Sequence, residues 1–460
     1  PSWSVGAAEI DITPTAPVFL YGYPHVERTS TGVHDPLLAS ALCVHDGEQY
    51  AAFVACDVIW VPRDVTRRAR QRIAARCGLA AGSVMITATH THSGPVTNRI
   101  LSNEADEVVP EPDAAYLQSL EDGIVEAAVS ARQRLAPAQL REAVIDASFL
   151  GTNRSDPAGP SIPTLPILAA FDETGEPRCV MAVCSMHPTV LHEDWTQVSG
   201  DFPGLARQRI QQRFGKHVPF VYHMGASGDQ SPRHVVERNT IEQATRLGHQ
   251  LGDAICTALE DAHPVEPVHI RCVSRTLDLP LRELPPVEHA EARRDAAKHR
   301  LDALRQRGES RTAIRTAEVD WFGAEETLTL ARAARDGRIE QAAAECLPAE
   351  VQVIEVGDRR WVGWPGEVFV DFARHVMAVD PRAAVITLAN GDVQGYLVTQ
   401  DAIDQGAYEA GNAIFQSPDA GRLLVRLERG KSGRTGPAAG ATAEQTPGAL
   451  SGDALAEAAC

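Results

Sequence analysis

Short apolar runs rich in valine, alanine and isoleucine alternate along most of the chain with longer stretches in which apolar residues recur at helical spacing. The runs at 38–44, 50–59, 84–89, 167–171, 180–186 and 218–223 are too short for helices, so strands are predicted there. Residues 1–12 read as a further strand. Stretches 63–76, 114–133 and 239–259 carry helical periodicity. The last places Ile241, Ala244, Gly248, Leu251, Ile255 and Leu259 on one face, with Asn239 as N-cap and Glu242 at the capping-box position. Strands and helices in alternation predict an α/β fold of mixed β-sheets flanked by helices.

Two segments depart from this rhythm. Residues 286–347 are charged and alanine-rich without strand signals, which predicts a helical insertion, read here as a solvated helix pair rather than a lid. Residues 431–460 are Gly, Ala, Ser, Thr and Pro with few large apolar side chains, so that tail is expected to stay flexible. One domain is therefore expected over 1–430. No repeat of residue pattern is apparent along it.

Bulk composition narrows the class. A chain of 460 residues with 44% hydrophobic content can bury a large core. Its formal net charge of −18 disfavours nucleic acid and anionic membrane surfaces as partners, and no basic run in the sequence offsets it. No window approaches the roughly 18-residue apolar run of a membrane span, so stable membrane insertion is not expected. The nine cysteines are scattered, odd in number and without a Cys-x-x-Cys pair, which predicts reduced thiols and a cytoplasmic location, leaving aside any signal peptide removed on maturation. Assembly into a homo-oligomer is left open.

Candidate chemistry gathers where strands end. The strand at 84–89 runs into Thr89-His90-Thr91-His92-Ser93-Gly94-Pro95, and two histidines one residue apart at a strand's carboxyl end can both enter one crevice. Loop histidines bonded to backbone are the competing account. The strand at 180–186 delivers His187-Pro188-Thr189, and the apolar run Trp361-Val362-Gly363-Trp364 ends in Pro365-Gly366-Glu367 before a helix predicted at 368–377. A carboxylate near a helix N-terminus is welcome there even without a metal. Two imidazoles with one carboxylate nevertheless form a common catalytic zinc set that leaves room for water and substrate. His25, His34, His45, His192, His217, His223, His234 and His249 lack such a context and are assigned surface or supporting roles.

These motifs, with Glu9-Ile10-Asp11-Ile12-Thr13-Pro14, Gly32-Val33-His34, Gly228-Asp229-Gln230-Ser231-Pro232, Gly395-Tyr396 and Tyr408-Glu409-Ala410, resemble the neutral, non-lysosomal ceramidases over roughly residues 5–425. The resemblance implies a ceramidase-like catalytic domain with one zinc ion per chain bound by His90, His187, Glu367 and Tyr396. It places Arg154, from Asn153-Arg154-Ser155, and Tyr408, twelve residues beyond Tyr396, beside the substrate. Ser231 matches the serine of the Gly-Asp-x-Ser-Pro loop. Departures are Val96-Thr97 where the family carries two glycines, and Arg233 where it carries asparagine. The family's C-terminal β-sandwich has no counterpart in the sequence.

The implied activity is hydrolysis of an amide, N-acyl bond by metal-activated water, on a small soluble N-acyl or ceramide-like molecule. His92, expected near the metal but not on it, would take the water's proton and return it to the leaving amine, while Arg154 and Tyr408 stabilise the oxyanion. Ser231 is expected to contact substrate rather than act as nucleophile. Rival readings are a zinc esterase or lactonase, a serine hydrolase using Ser231 or Ser227, a metal-dependent phosphoesterase with a second ion at Asp57 and Asp201, and a binding protein without turnover. The serine rival is weakened because Gly225-Ala226-Ser227-Gly228-Asp229 departs from the Gly-x-Ser-x-Gly elbow at its last position.

Overall fold

Three times along the chain the same order of pairings recurs in the structure, a computed structural model that describes residues 2–266 and 269–429. In the first unit β1 (Trp3–Asp11), β2 (Leu38–His45) and β3 (Tyr50–Cys56) pair antiparallel in turn, α1 (Arg63–Cys77) crosses over, and β4 (Val84–Ala88) returns parallel to β3. After α2 (Ala114–Gln133) the second unit repeats the order with β5 (Ala136–Asp146), β6 (Thr164–Phe171), β7 (Pro177–Cys184), α3 (Asp201–Phe214), β8 (Phe220–Met224) and α4 (Ile241–Glu260). The third consists of β9 (Arg271–Leu277), β10 (Ala349–Val356), β11 (Arg359–Gly363), α8 (Val370–Val379) and β12 (Ala383–Ile386). Between β9 and β10 lie α5 (Val287–Gln306), α6 (Arg311–Arg335) and α7 (Ile339–Cys346). Each parallel return needs a crossover, and a helix supplies it.

The first two units merge into one sheet of order β8-β7-β6-β5-β1-β2-β3-β4, and the third forms a separate sheet β9-β10-β11-β12. Neighbouring residues point to opposite faces of a strand, which decides the layering. In β2, Ala41 and Cys43 face α1 and α2, whereas Leu42 and Val44 face the other sheet. The shared inner core brings Leu42, Phe53, Met85, Met181 and Val221 of the large sheet against Ile354, Trp361 and Ile386 of the small one. The layers therefore run helix, sheet, sheet, helix. β4 and β8 are covered on both faces, which is why they read as continuous apolar runs rather than alternating ones. The recurrence is one of topology alone, since burial constrains polarity and not residue identity.

The predicted α/β architecture is present, with local corrections. Asn239 does not cap α4: its side chain donates to the Val190 carbonyl at 3.1 Å, and the helix starts after Thr240. Strand β3 stops at Cys56, which frees Asp57 to Ile59 to meet the chain leaving β4. Glu367–Val368 is not helical but pairs in parallel with Tyr396–Leu397, and α8 begins at Val370. The insertion is helical, yet α6 is no solvated helix: Phe322, Leu328, Leu330 and Ala333 are buried along it, as is Glu326. The 431–460 tail lies outside the described residues. Among the described residues no helix is long and apolar enough to cross a membrane.

Candidate metal centre

β3 and β4 run parallel, so their carboxyl ends open together, and the chain leaving β4 is stitched to the chain leaving β3. His90 donates its backbone N–H to the Val58 carbonyl at 3.0 Å and adopts φ 69°, a left-handed conformation that a non-glycine residue seldom takes. That reversal turns the wholly buried imidazole inward. Its Nδ1 lies 2.9 Å from the Ile59 carbonyl. The second unit exchanges the roles of its two parallel strands: His187 follows β7, and its Nδ1 lies 2.6 Å from the carbonyl of Ser227, which follows β8. Glu367, following β11 of the third unit, sets Oε2 3.2 Å from His90 Nε2 and 3.1 Å from His187 Nε2.

These contacts decide what the centre needs. A carbonyl only accepts, so both Nδ1 atoms carry hydrogen, and both Nε2 atoms are left facing one carboxylate oxygen of Glu367. Burial pushes His187 down to about 4 despite the neighbouring carboxylate, so near neutral pH this ring is neutral and its Nε2 lone pair faces a second acceptor. A cation between them would relieve that contact. His92 stands beside them, and ligand atoms of His90, His92 and His187 all fall within 4.8 Å of one another. Both ring nitrogens of His92 are buried and, among the described residues, have no hydrogen-bond partner. Burial first, and then His90 and His187, hold its pKa well below the ordinary imidazole value, so it is neutral and free to accept a proton. Tyr23 packs edge-on at 5.2 Å, and the Gly22 backbone comes so close that a Cβ there would sit 2.4 Å from His92 Nδ1. The His92 carbonyl accepts from Arg28 at 2.6 Å.

A second group forms one wall. The Arg154 guanidinium lies 5.4 Å from the ring centre of Tyr396 and 5.1 Å from that of Tyr408, and it pairs with buried Glu409 at 2.7 Å. Burial raises Tyr408 to about 12 and, with Glu367, also raises Tyr396 well above the ordinary phenol value, so both hydroxyls keep their protons as donors. Asp229 joins the wall to the cage. Its carbonyl accepts from the Arg154 N–H at 2.8 Å, and its carboxylate accepts from Asn153 at 3.0 Å and from the Val370 N–H at 3.1 Å, just beyond Glu367. From behind, α6 presses Gly323 against the turn bearing Tyr408: a Cβ on Gly323 would sit 3.1 Å from its backbone.

The structure thus brings together His90, His92, His187 and Glu367, and sets Tyr396, Tyr408 and Arg154 alongside. Ser231 differs: its Oγ accepts from the Arg233 N–H at 3.2 Å and caps the short turn Pro232–His234 on the strand beside Asn153. The second-ion reading fails at Asp57 and Asp201. Asp57 is ion-paired with Arg207 at 2.5 Å, and Asp201 accepts the backbone N–H groups of Leu191 and Phe202. Of the histidines assigned surface or supporting roles, two are engaged with side chains inside the fold. His223 is wholly buried against Thr87 Oγ1 at 2.8 Å, and His25 contacts Glu325 and stacks on Trp321 at 5.0 Å. Sequence reasoning also gave no part to Asp229, Glu409 or Arg28; the only signal was a charge adjacent to a motif residue in the first two.

Comparison with known proteins follows the same lines. Residues 3–244 match the N-terminal domain of the neutral/alkaline non-lysosomal ceramidases, more than half of the chain. The chain belongs to that family. The matched residues include His90, His92, Arg154, His187 and Ser231, while Glu367, Tyr396 and Tyr408 lie beyond them. Similar relatives include the neutral ceramidase of Oryza sativa subsp. japonica, 29% identical over 168 residues (34% of this chain, 20% of that protein). Neutral ceramidase 3 of Arabidopsis thaliana is 29% identical over 171 residues (34% of this chain, 21% of that protein). Each match spans about a fifth of the curated relative's length. Among solved structures, the neutral ceramidase of Pseudomonas aeruginosa superposes with TM-score 0.71 at 18% identity, covering 96% of this chain and 76% of that one. A ceramidase solved in complex with C2 gives the same TM-score and identity over 93% and 74%. These likenesses show that the ceramidase fold extends through the third unit.

Proposed function

We propose that this member of the ceramidase family is a zinc-dependent amidohydrolase cleaving the amide bond of a small soluble N-acyl or ceramide-like substrate. The observation that carries the reading is the convergence of two carbonyl-anchored imidazoles, through their Nε2 atoms, on one oxygen of Glu367. Such a donor set suits zinc, with His90, His187 and Glu367 holding one ion and Tyr396 beside them. When bound, zinc supplies Lewis acidity toward a carbonyl and lowers the pKa of a coordinated water to about 7.

The chain's own groups do the rest. Unpartnered His92 takes a proton from the attacking water and returns it to the leaving nitrogen, which must be protonated to depart. Tyr408 donates its hydroxyl hydrogen to the oxyanion, and Arg154, neutralised by Glu409, keeps the two tyrosine rings in place.

Metal analysis of purified protein with a screen of N-acyl amines, ceramides and matching esters tests the proposal. Zinc near one per chain, and turnover of amides that disappears with the metal in His90→Ala but without metal loss in His92→Ala, are expected. Full amide turnover in zinc-free protein, or turnover of esters alone, overturns it.

A further inference from the structure

The turn that follows Ser231 carries an arginine the catalytic account does not use. Arg233 sits on an exposed turn locked to the wall: Gln230 and Ser231 pair with Asn153 and Thr152, and His234 Nε2 lies 3.2 Å from the Arg154 carbonyl. Other cations nearby have partners. Arg154 is paired with Glu409, and Arg315 of α6 with Glu318 at 2.6 Å and Glu193 at 3.3 Å. Among the described residues, the Arg233 side chain makes neither a hydrogen bond nor a salt bridge.

Burial, followed by the guanidiniums of Arg154 and Arg315, lowers the Arg233 pKa from its ordinary value, with Tyr408 and Glu409 opposing. Arg154 and Arg315 have carboxylate partners, so Arg233 is the member of this group left to meet an incoming anion. The contrast is local. The chain as a whole carries −18, and against that background the Arg233 guanidinium is a local positive group on the turn joined to the wall.

The geometry points to Arg233 as an anion-recognition residue at the mouth of the centre, making the preferred substrate an N-acyl amino acid, whose carboxylate lies one carbon from the scissile nitrogen. This inference rests on the amidohydrolase reading. Arginine suits the task because its planar fork meets a carboxylate with two parallel hydrogen bonds.

The test uses the metal-loaded full chain and three substrates of one acyl length: an N-acyl amino acid, its neutral carboxamide and an N-acyl diamine. The wild type should prefer the carboxylate in kcat/KM. Arg233→Asn should erase that preference by about ten- to a hundredfold, chiefly through KM, as expected for one charge-assisted contact. Arg233→Glu should turn the preference toward the diamine, with zinc content unchanged in both variants. Equal use of carboxylate and carboxamide by the wild type, or an unaltered ratio in Arg233→Asn, overturns this inference and leaves the amidohydrolase reading standing. Absence of turnover on all three with zinc bound removes both.

Discussion

The cage of His90, His187 and Glu367 and the wall of Arg154, Tyr396, Tyr408 and Glu409 face each other but are held by different means. In the cage each imidazole is oriented by a main-chain carbonyl at the carboxyl end of a buried strand. In the wall, side chains orient side chains through a buried ion pair, and the insertion helix α6 supports them from outside the repeated units. Main-chain carbonyls move only if a sheet moves, whereas a side-chain wall changes with single residues. Metal retention and turnover should therefore be separable.

The largest expected effect lies in the cage. Glu367→Ala or His187→Ala should abolish both bound metal and turnover, read by metal analysis and single-turnover assay; either variant retaining full metal would break the distinction. Arg154→Met, which loosens the Tyr408 donor, should lower kcat by no more than the roughly 10²–10³ expected for loss of that donor, while metal stays bound. The same change leaves Glu409 buried without its partner, a loss of about 3–5 kcal/mol in unfolding free energy. Adding Glu409→Leu should restore stability but not kcat, and recovery of both would deny the wall a part in turnover.

A smaller effect is expected at Gly411, where a Cβ would stand 2.5 Å from the Gly323 carbonyl oxygen. Gly411→Ala should cost about 1–3 kcal/mol by overpacking α6 against the Tyr408 turn, with zinc content unaltered. The smallest concerns pH. Burial holds His187 at about 4 and His223 at about 3, so each stays neutral in the native state while the unfolded chain binds protons below about 6.5. Stability is then present above that pH and is lost as pH falls toward those values. Denaturant melts of metal-free protein should show a decline of up to about 1.4 kcal/mol per pH unit for each histidine. His223→Leu should flatten it by one histidine's share, and an undiminished slope would exclude His223 as a source.

Much of the scaffold could be read from residue order alone. Helix α2 occupies the predicted 114–133, and β4 ends one residue before its predicted limit, because both follow from local patterns of polarity. The strand-end positions of His90, His187 and Glu367 were visible for the same reason. Asn239 misled, since a capping residue competes with any nearby carbonyl and Val190 lies 49 positions away. The insertion misled as well: α6 alternates charge with small residues, and only its neighbours reveal which of them are covered. The partnership of Arg154 with Glu409 spans 255 positions, and no local pattern announces it.

Residue order was enough to establish the family, the alternation of strands and helices, and the segments from which the candidate metal ligands emerge, since each depends on short-range periodicity or on motifs within a few residues. Folding alone settled that three topologically equivalent units share one inner core, that the Nε2 atoms of two imidazoles converge on one carboxylate, and that the turn bearing Arg233 is joined to the chain at Arg154. Those outcomes depend on which distant groups become neighbours once the sheets stack, and hydrogen bonding and charge act over a few ångströms of space rather than along the chain.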